Sequence, residues 1–105
     1  MSPPTTPDFR RLLRDARERR RFSQRDAAAR IGCNPSYISQ LEDPRSSAFP
    51  SRERIRDLAR LFDLNEEELR SAVAVAHETH LNKRLLARAA RDAERFTKQY
   101  AHVVN

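Results

Sequence analysis

Four polar, uncharged side chains gather in one short stretch: Ser36, Tyr37, Ser39 and Gln40. The amide of Gln40 donates and accepts at once, as a two-point pairing with adenine N6 and N7 requires, and the hydroxyls of Ser36 and Ser39 suit several base edges. Tyr37 offers a ring to a thymine methyl and a hydroxyl beside it, whereas Pro35 has no donor. Arg21, Arg25 and Arg45, with the hydroxyl of Ser47, flank the stretch and suit phosphate oxygens, which set register rather than sequence. Other chemistries lack their residues. His77 and His80 stand three apart around Glu78, a spacing that can bring two imidazoles together, but no further Cys or His completes a zinc site. One glycine in the whole chain leaves no glycine-rich phosphate loop, and the serines sit at helix caps without a paired histidine. The sequence is therefore read as a non-enzyme with no metal and no cofactor.

Two helices must position the polar stretch. Ser23 is a cap with Asp26 three residues on, the pattern of a capping box, and Ala27, Ala28 and Ile31 then share one face. Gly32 can take the left-handed conformation that ends a helix without a Cβ penalty. Asn34 is a good N-cap and Pro35 suits a first helical turn. Ile38 and Leu41 give the second helix an inward stripe, so Ser36, Tyr37, Ser39 and Gln40 face outward. Two short helices joined by a tight turn make a helix-turn-helix, whose second helix enters the major groove of duplex DNA.

Counted from Gln24 as the first position, the motif has Gln at 1, Ala28 at 5, Gly32 at 9, Ile38 at 15 and Leu41 at 18. At these offsets, and over residues 9–69, the chain resembles the phage-repressor-like (XRE) DNA-binding family. The resemblance implies an all-α fold: a five-helix lambda-repressor-like DNA-binding domain, here with a C-terminal helical extension. It implies a phosphate contact for Gln24 and an ion pair between Arg17 and Glu42 that clamps the first helix against the motif. The chain departs from the pattern in three places. Arg21-Phe22 stands where a Gly-Leu pair is common, Asp43-Pro44 where a glycine commonly stops the recognition helix, and Asp63-Leu64 where another glycine is usual. Proline biases Asp43 away from helical angles, so that helix should still stop at Glu42.

The rest of the chain is read around this motif. Residues 1–7 are proline-rich and predicted to be a disordered leader, with Thr6 as the next N-cap, Pro7 in the first turn, and Phe9, Leu12, Leu13 and Ala16 as a buried stripe. Ser51 caps a fourth helix with Ile55, Leu58, Ala59 and Phe62 inward. Asn65 caps a fifth, whose Glu66, Glu67 and Glu68 suit its positive end. The DNA-binding domain is placed at 8–70 and the extension at 71–105, with a weak point at 78–82. Beyond it Leu85, Ala89, Phe96 and Tyr100 lie on an apolar stripe opposite Arg84, Arg88, Arg91, Arg95 and Lys98. An isolated helix of this kind is marginal in water, so the stripe is assigned to a second subunit, with packing back on its own domain as the alternative and a basic amphipathic surface for DNA or membrane as a third.

Composition agrees with this reading. A chain of 105 residues fits one compact core plus an appendage, and its net charge of +6 and pI near 10.6 suit a polyanion. The excess is concentrated beside the motif: residues 10–30 hold nine Arg against three acids. The preference for Arg over Lys carries no weight at this level. Cys33 is the only cysteine, so no disulfide framework exists, and its place in the turn reads as core. No stretch suits a membrane span or signal peptide, which points to a cytoplasmic, nucleoid-associated protein. The expected function is a homodimeric regulator of transcription, a repressor, binding a palindromic operator in double-stranded DNA. Two rivals are an antitoxin-type module whose extension grips a protein partner while DNA binding serves autoregulation, and a non-specific nucleoid protein.

Overall fold

A computed structural model describes the backbone of residues 8–100 and the side chains of 8–98. The expected leader and Pro7 lie outside the described residues, and the first helix is capped by Asp8, not by Thr6 as expected. Five helices follow in order: α1 Phe9–Arg19, α2 Gln24–Ile31, α3 Pro35–Glu42, α4 Arg52–Phe62 and α5 Glu66–Tyr100. No strand occurs among the described residues, and the all-helical class read from the sequence is borne out.

Local chemistry accounts for most boundaries. Asp8 caps α1, its carboxylate accepting from the backbone N–H of Arg10 at 3.2 Å. The capping box of α2 is complete: Ser23 Oγ accepts from Asp26 N–H at 2.9 Å while Asp26 accepts from Ser23 N–H at 3.1 Å. Gly32 ends α2 at φ 72°, ψ 41°. Asn34 caps α3, and α3 stops because Asp43, ahead of Pro44, is extended at ψ 116°. Arg21 and Asp63 take positive φ of 58° and 53°, at the two turns where a glycine would be unstrained.

The apolar stripes of all five helices meet in one core. Phe9, Leu41, Leu58 and Leu69 are its largest fully buried side chains, each contributing about 1.5–3 kcal/mol through burial. Phe22 plugs the α1–α2 junction against Phe62, ring centroids 6.5 Å apart. The loop after α3 folds back through Phe49, whose ring lies 5.8 Å from Phe9, 4.8 Å from His77 and 5.6 Å from His80. The two histidines thus hold the loop against α5.

The C-terminal helix differs from expectation in one respect. Residues 78–82 form no break: α5 is one helix of 35 residues. Its first turns bury Leu69, Ala72 and Val73 in the core, while every described side chain beyond His80 is exposed. The distal half therefore projects from the domain instead of packing back on it. The molecule measures 65 × 38 × 20 Å with a radius of gyration of 19.1 Å, against about 13 Å for a compact chain of this size.

Candidate nucleic-acid interface

Recognition would fall to α3, and its inner side is anchored at both ends. Ile38 and Leu41 are buried in the core. Arg17 grips Glu42 at two points, Nε to Oε2 at 2.7 Å and Nη2 to Oε1 at 3.0 Å, with side chains only 12% and 6% exposed. The same guanidinium donates to the carbonyl of Phe22 at 2.7 Å, so one side chain ties α1, the α1–α2 turn and the end of α3 together. The hydrogen bond to Glu42 raises the pKa of Arg17 against the desolvation that would lower it.

Two further arginines complete the frame, and the sequence reading assigned neither. Arg10, 5% exposed, donates through Nη1 to the carbonyls of Gln40 (3.2 Å) and Leu41 (3.0 Å), and through Nη2 to those of Ser46 (2.9 Å) and Ala48 (2.8 Å). It thereby serves the Leu41 carbonyl at the end of the helix, adds to the bond that the Gln40 carbonyl accepts from Asp43 N–H, and fastens the following loop to them. Its Cζ lies 4.5 Å from the Phe9 centroid and 5.1 Å from that of Phe49, a cation between two ring faces. Burial lowers the Arg10 pKa, with the nearby Asp8 and Asp43 opposing it. Arg54 does the matching work at α2, donating to the carbonyls of Ile31 at 2.6 Å and Gly32 at 3.5 Å. A lysine offers a point charge with no planar fork, so these roles give the arginine preference a structural reason. A sequence signal for Arg10 existed: Arg10 and Arg17 are seven apart and both flank the Phe9, Leu13, Ala16 stripe. No comparable pattern marks Arg54.

The opposite side of α3 is open. Ser36, Ser39 and Gln40 are exposed, as are Arg21, Arg25, Arg45 and Ser47 around them. Three of the residues read as DNA contacts also have partners within the chain. Ser36 Oγ donates to Asn34 Oδ1 at 3.0 Å, Arg45 Nε to Asp43 Oδ1 at 3.5 Å, and Gln24 Nε2 to Glu42 Oε1 at 3.3 Å. Tyr37 differs most from expectation. Its ring is half-buried against the core, with the Arg54 guanidinium 6.0 Å from its centroid, and burial raises the pKa of its hydroxyl. Only part of the ring is left to face a base.

A helix held rigidly on one side, with a polar and cation-flanked surface on the other, can lie in a groove and read it. The family model described as "Helix-turn-helix domain" matches residues 8–73 of this chain. The chain belongs to the helix-turn-helix domain family. No curated protein and no solved structure matches it. In this helix-turn-helix domain α2 and α3 form the motif, Gly32 makes its turn, and α1, α4 and the first turns of α5 support it.

Nothing around the helix-turn-helix domain suggests metal chemistry: among the described residues no group of three or more His, Cys, Asp or Glu is disposed to hold an ion. Cys33 is half-buried, and burial pushes its thiol pKa up, away from the reactive thiolate. No described helix is long and apolar enough to cross a membrane. On the projecting part of α5, Leu85 is 63% and Leu86 70% exposed, with Leu81, Ala89 and Phe96 also exposed; the Tyr100 side chain lies outside the described residues.

Proposed function

We propose that this helix-turn-helix protein is a sequence-specific transcriptional regulator of the phage-repressor-like (XRE) type, acting as a repressor on a palindromic operator. The observation that carries the reading is the anchoring of α3. Arg10, Arg17 and Glu42 immobilise its end, Arg54 its approach, and Ser36, Ser39 and Gln40 are left exposed on the other side. Rigid placement of a few donors and acceptors is what base discrimination requires. Gln40, Ser36 and Ser39 read base edges, with Tyr37 contributing its accessible edge. Gln24, Arg21, Arg25, Arg45 and Ser47 bind phosphates. The reading unit comprises residues 8–70 and the dimerisation element 71–105.

Two copies join through the apolar stripe of α5, with Leu85, Ala89, Phe96 and Tyr100 in the seam, and so present two reading helices about one DNA turn apart, roughly 34 Å. The exposed leucines on the projecting helix support this, and they equally support a second reading in which an antitoxin-type extension grips a different protein. Selection of bound duplexes from a random pool, followed by competition against random DNA, tests base reading. Gln40→Ala should cost about 1–3 kcal/mol on the selected site and almost nothing on random DNA. Equal losses on both would remove Gln40 as a reader. Sedimentation of a chain ending at His80 separates the two readings. It keeps the whole core, so it should stay helical and become monomeric; a full-length chain that is itself monomeric favours the second reading.

A further inference from the structure

The projecting half of α5 carries a feature that dimerisation does not use. Arg84, Arg88, Arg91, Arg95 and Lys98 succeed one another at spacings of four, three, four and three residues. At about 100° per residue they fall within roughly 80° of arc, forming a ridge about 21 Å long. The apolar stripe of Leu85, Ala89 and Phe96 lies about 120° around the helix from it. All five cations are exposed.

Elsewhere some helical arginines pair with acids one turn away, Arg11 with Asp15 at 3.8 Å, Arg14 with Glu18 at 3.2 Å and Arg70 with Glu66 at 3.4 Å, while Arg19, Arg25, Arg30, Arg52 and Arg60 stand exposed and singly, without such a partner among the described residues. On the ridge only Lys98 has such a partner, Glu94 at 3.5 Å. Arg84, Arg88, Arg91 and Arg95 make no ion pair among the described residues. Neighbouring like charges at these spacings destabilise a helix, and Asp92 and Glu94 offset them only in part, so a polyanion along the ridge would stabilise the element that carries it. The ridge also starts near the proposed interface. His80 and Lys83 share a cavity of about 310 Å³ with Pro44 and Ser46, so the arm departs beside the loop that follows α3 and carries Arg45 and Ser47.

We infer that the arginine ridge of α5 is a second DNA contact, binding the phosphate backbone of duplex flanking the site read by α3. This rests on the DNA-binding reading above and extends it to a surface outside the helix-turn-helix match, which ends at residue 73. Its length corresponds to about six base pairs at 3.4 Å each. Charge complementarity alone would also suit an anionic membrane, but insertion there needs the apolar stripe as well, which the proposed dimer seam would occupy.

The test is a salt series of anisotropy titrations of the full-length chain on random duplexes of about 15 and about 40 base pairs. Neutralising the ridge (R84Q/R88Q/R91Q/R95Q) should flatten the slope of log affinity against log salt by about three units on the longer duplex and by less on the shorter one. The corresponding four-lysine variant, which keeps point charges for phosphate, should retain the original slope. Circular dichroism checks that both variants keep their helix. If the original chain binds DNA and neutralisation leaves its slope unchanged within about one unit, the ridge contact is refuted while the reading of α3 stands. If the original chain binds no duplex, both fall. Vesicles rich in phosphatidylserine form the third arm: vesicle binding lost on neutralisation, with the DNA slope unaltered, would make the ridge a membrane surface and overturn the inference.

Discussion

Replacing Arg10 should destabilise the protein far more than replacing any exposed arginine, and the structure gives the size of the effect. Arg10→Met keeps the aliphatic stem against Phe9 and Phe49 but removes four hydrogen bonds to the carbonyls of Gln40, Leu41, Ser46 and Ala48. The bond to Leu41 is fully buried, so that carbonyl would be left without a partner at a cost of about 1–3 kcal/mol. The other three are partly accessible, and water would replace the guanidinium at a net loss of about 0.5–1 kcal/mol each. The total is about 2.5–6 kcal/mol, a large fraction of the ~5–15 kcal/mol that holds a small domain together. In urea, with a slope of ~1.5 kcal/mol/M, the midpoint should fall by about 2–4 M. Arg10→Lys should lose about half as much, because one ammonium cannot span both pairs of carbonyls. Arg14→Ala, on the exposed side of α1 beside Glu18, should lose only about 0.3–0.5 kcal/mol. An Arg10→Met protein within about 1 kcal/mol of the parent would refute the assignment of Arg10 as the fastening of α3.

Three further outcomes follow from the same frame. Glu42→Ala leaves Arg17 nearly buried without its anion and should cost about 3 kcal/mol, whereas the paired change Arg17→Met with Glu42→Leu should recover most of it; additive losses in that double-mutant cycle would show the two charges to be independent. Arg21→Gly relieves a non-glycine residue at φ 58° and should raise stability by about 0.5–1 kcal/mol, while Gly32→Ala, with nothing within 4 Å of the added Cβ, should lower it by about 1 kcal/mol through backbone strain alone. Thermal midpoints moving in the opposite directions would overturn that account. The bonds from Ser23 hold the Asp26 carboxyl below its ordinary pKa of 3.8, so its contribution is present above that value and lost as pH falls through the depressed one. Acid unfolding of Asp26→Asn should accordingly be less steep below about pH 4, and an identical acid limb in both proteins would contradict it.

The elements that could be read from sequence are those whose cause is local. Ser23 with Asp26, Gly32, Asn34 with Pro35, and Ser51 each fix a boundary through contacts within three or four residues, and apolar spacing placed Ile38, Leu41, Ile55, Leu58 and Phe62 inward. What escaped depends on chain returning from a distance. Arg10 reaches carbonyls 30 to 38 residues away, which its spacing from Arg17 beside the buried stripe cannot name, and Arg54 reaches back 23 to Ile31 with no local pattern to mark it. Tyr37 was placed outward by helical spacing, yet a ring of that size extends far enough to pack sideways on Arg54 and the core. The weak point expected at 78–82 is absent, and the Phe49 ring against His77 and His80, a contact from a loop far back in the chain, holds α5 up to that segment.

Because α5 is unbroken from the core to the arm, it behaves as a drive shaft with a fixed phase. One residue inserted between Ala76 and Leu81 would rotate everything beyond it by about 100° and advance it by about 1.5 Å, resetting the angle between the exposed leucines and the domain. Seven inserted residues would restore the angle to within about 20° while moving the domain roughly 10.5 Å further along the axis. Length changes in this segment therefore come in discrete permitted steps, and each step would place a pair of joined domains at a different separation. In the proposed dimer, the half-site spacing would be set by a residue count in a helix outside the reading motif.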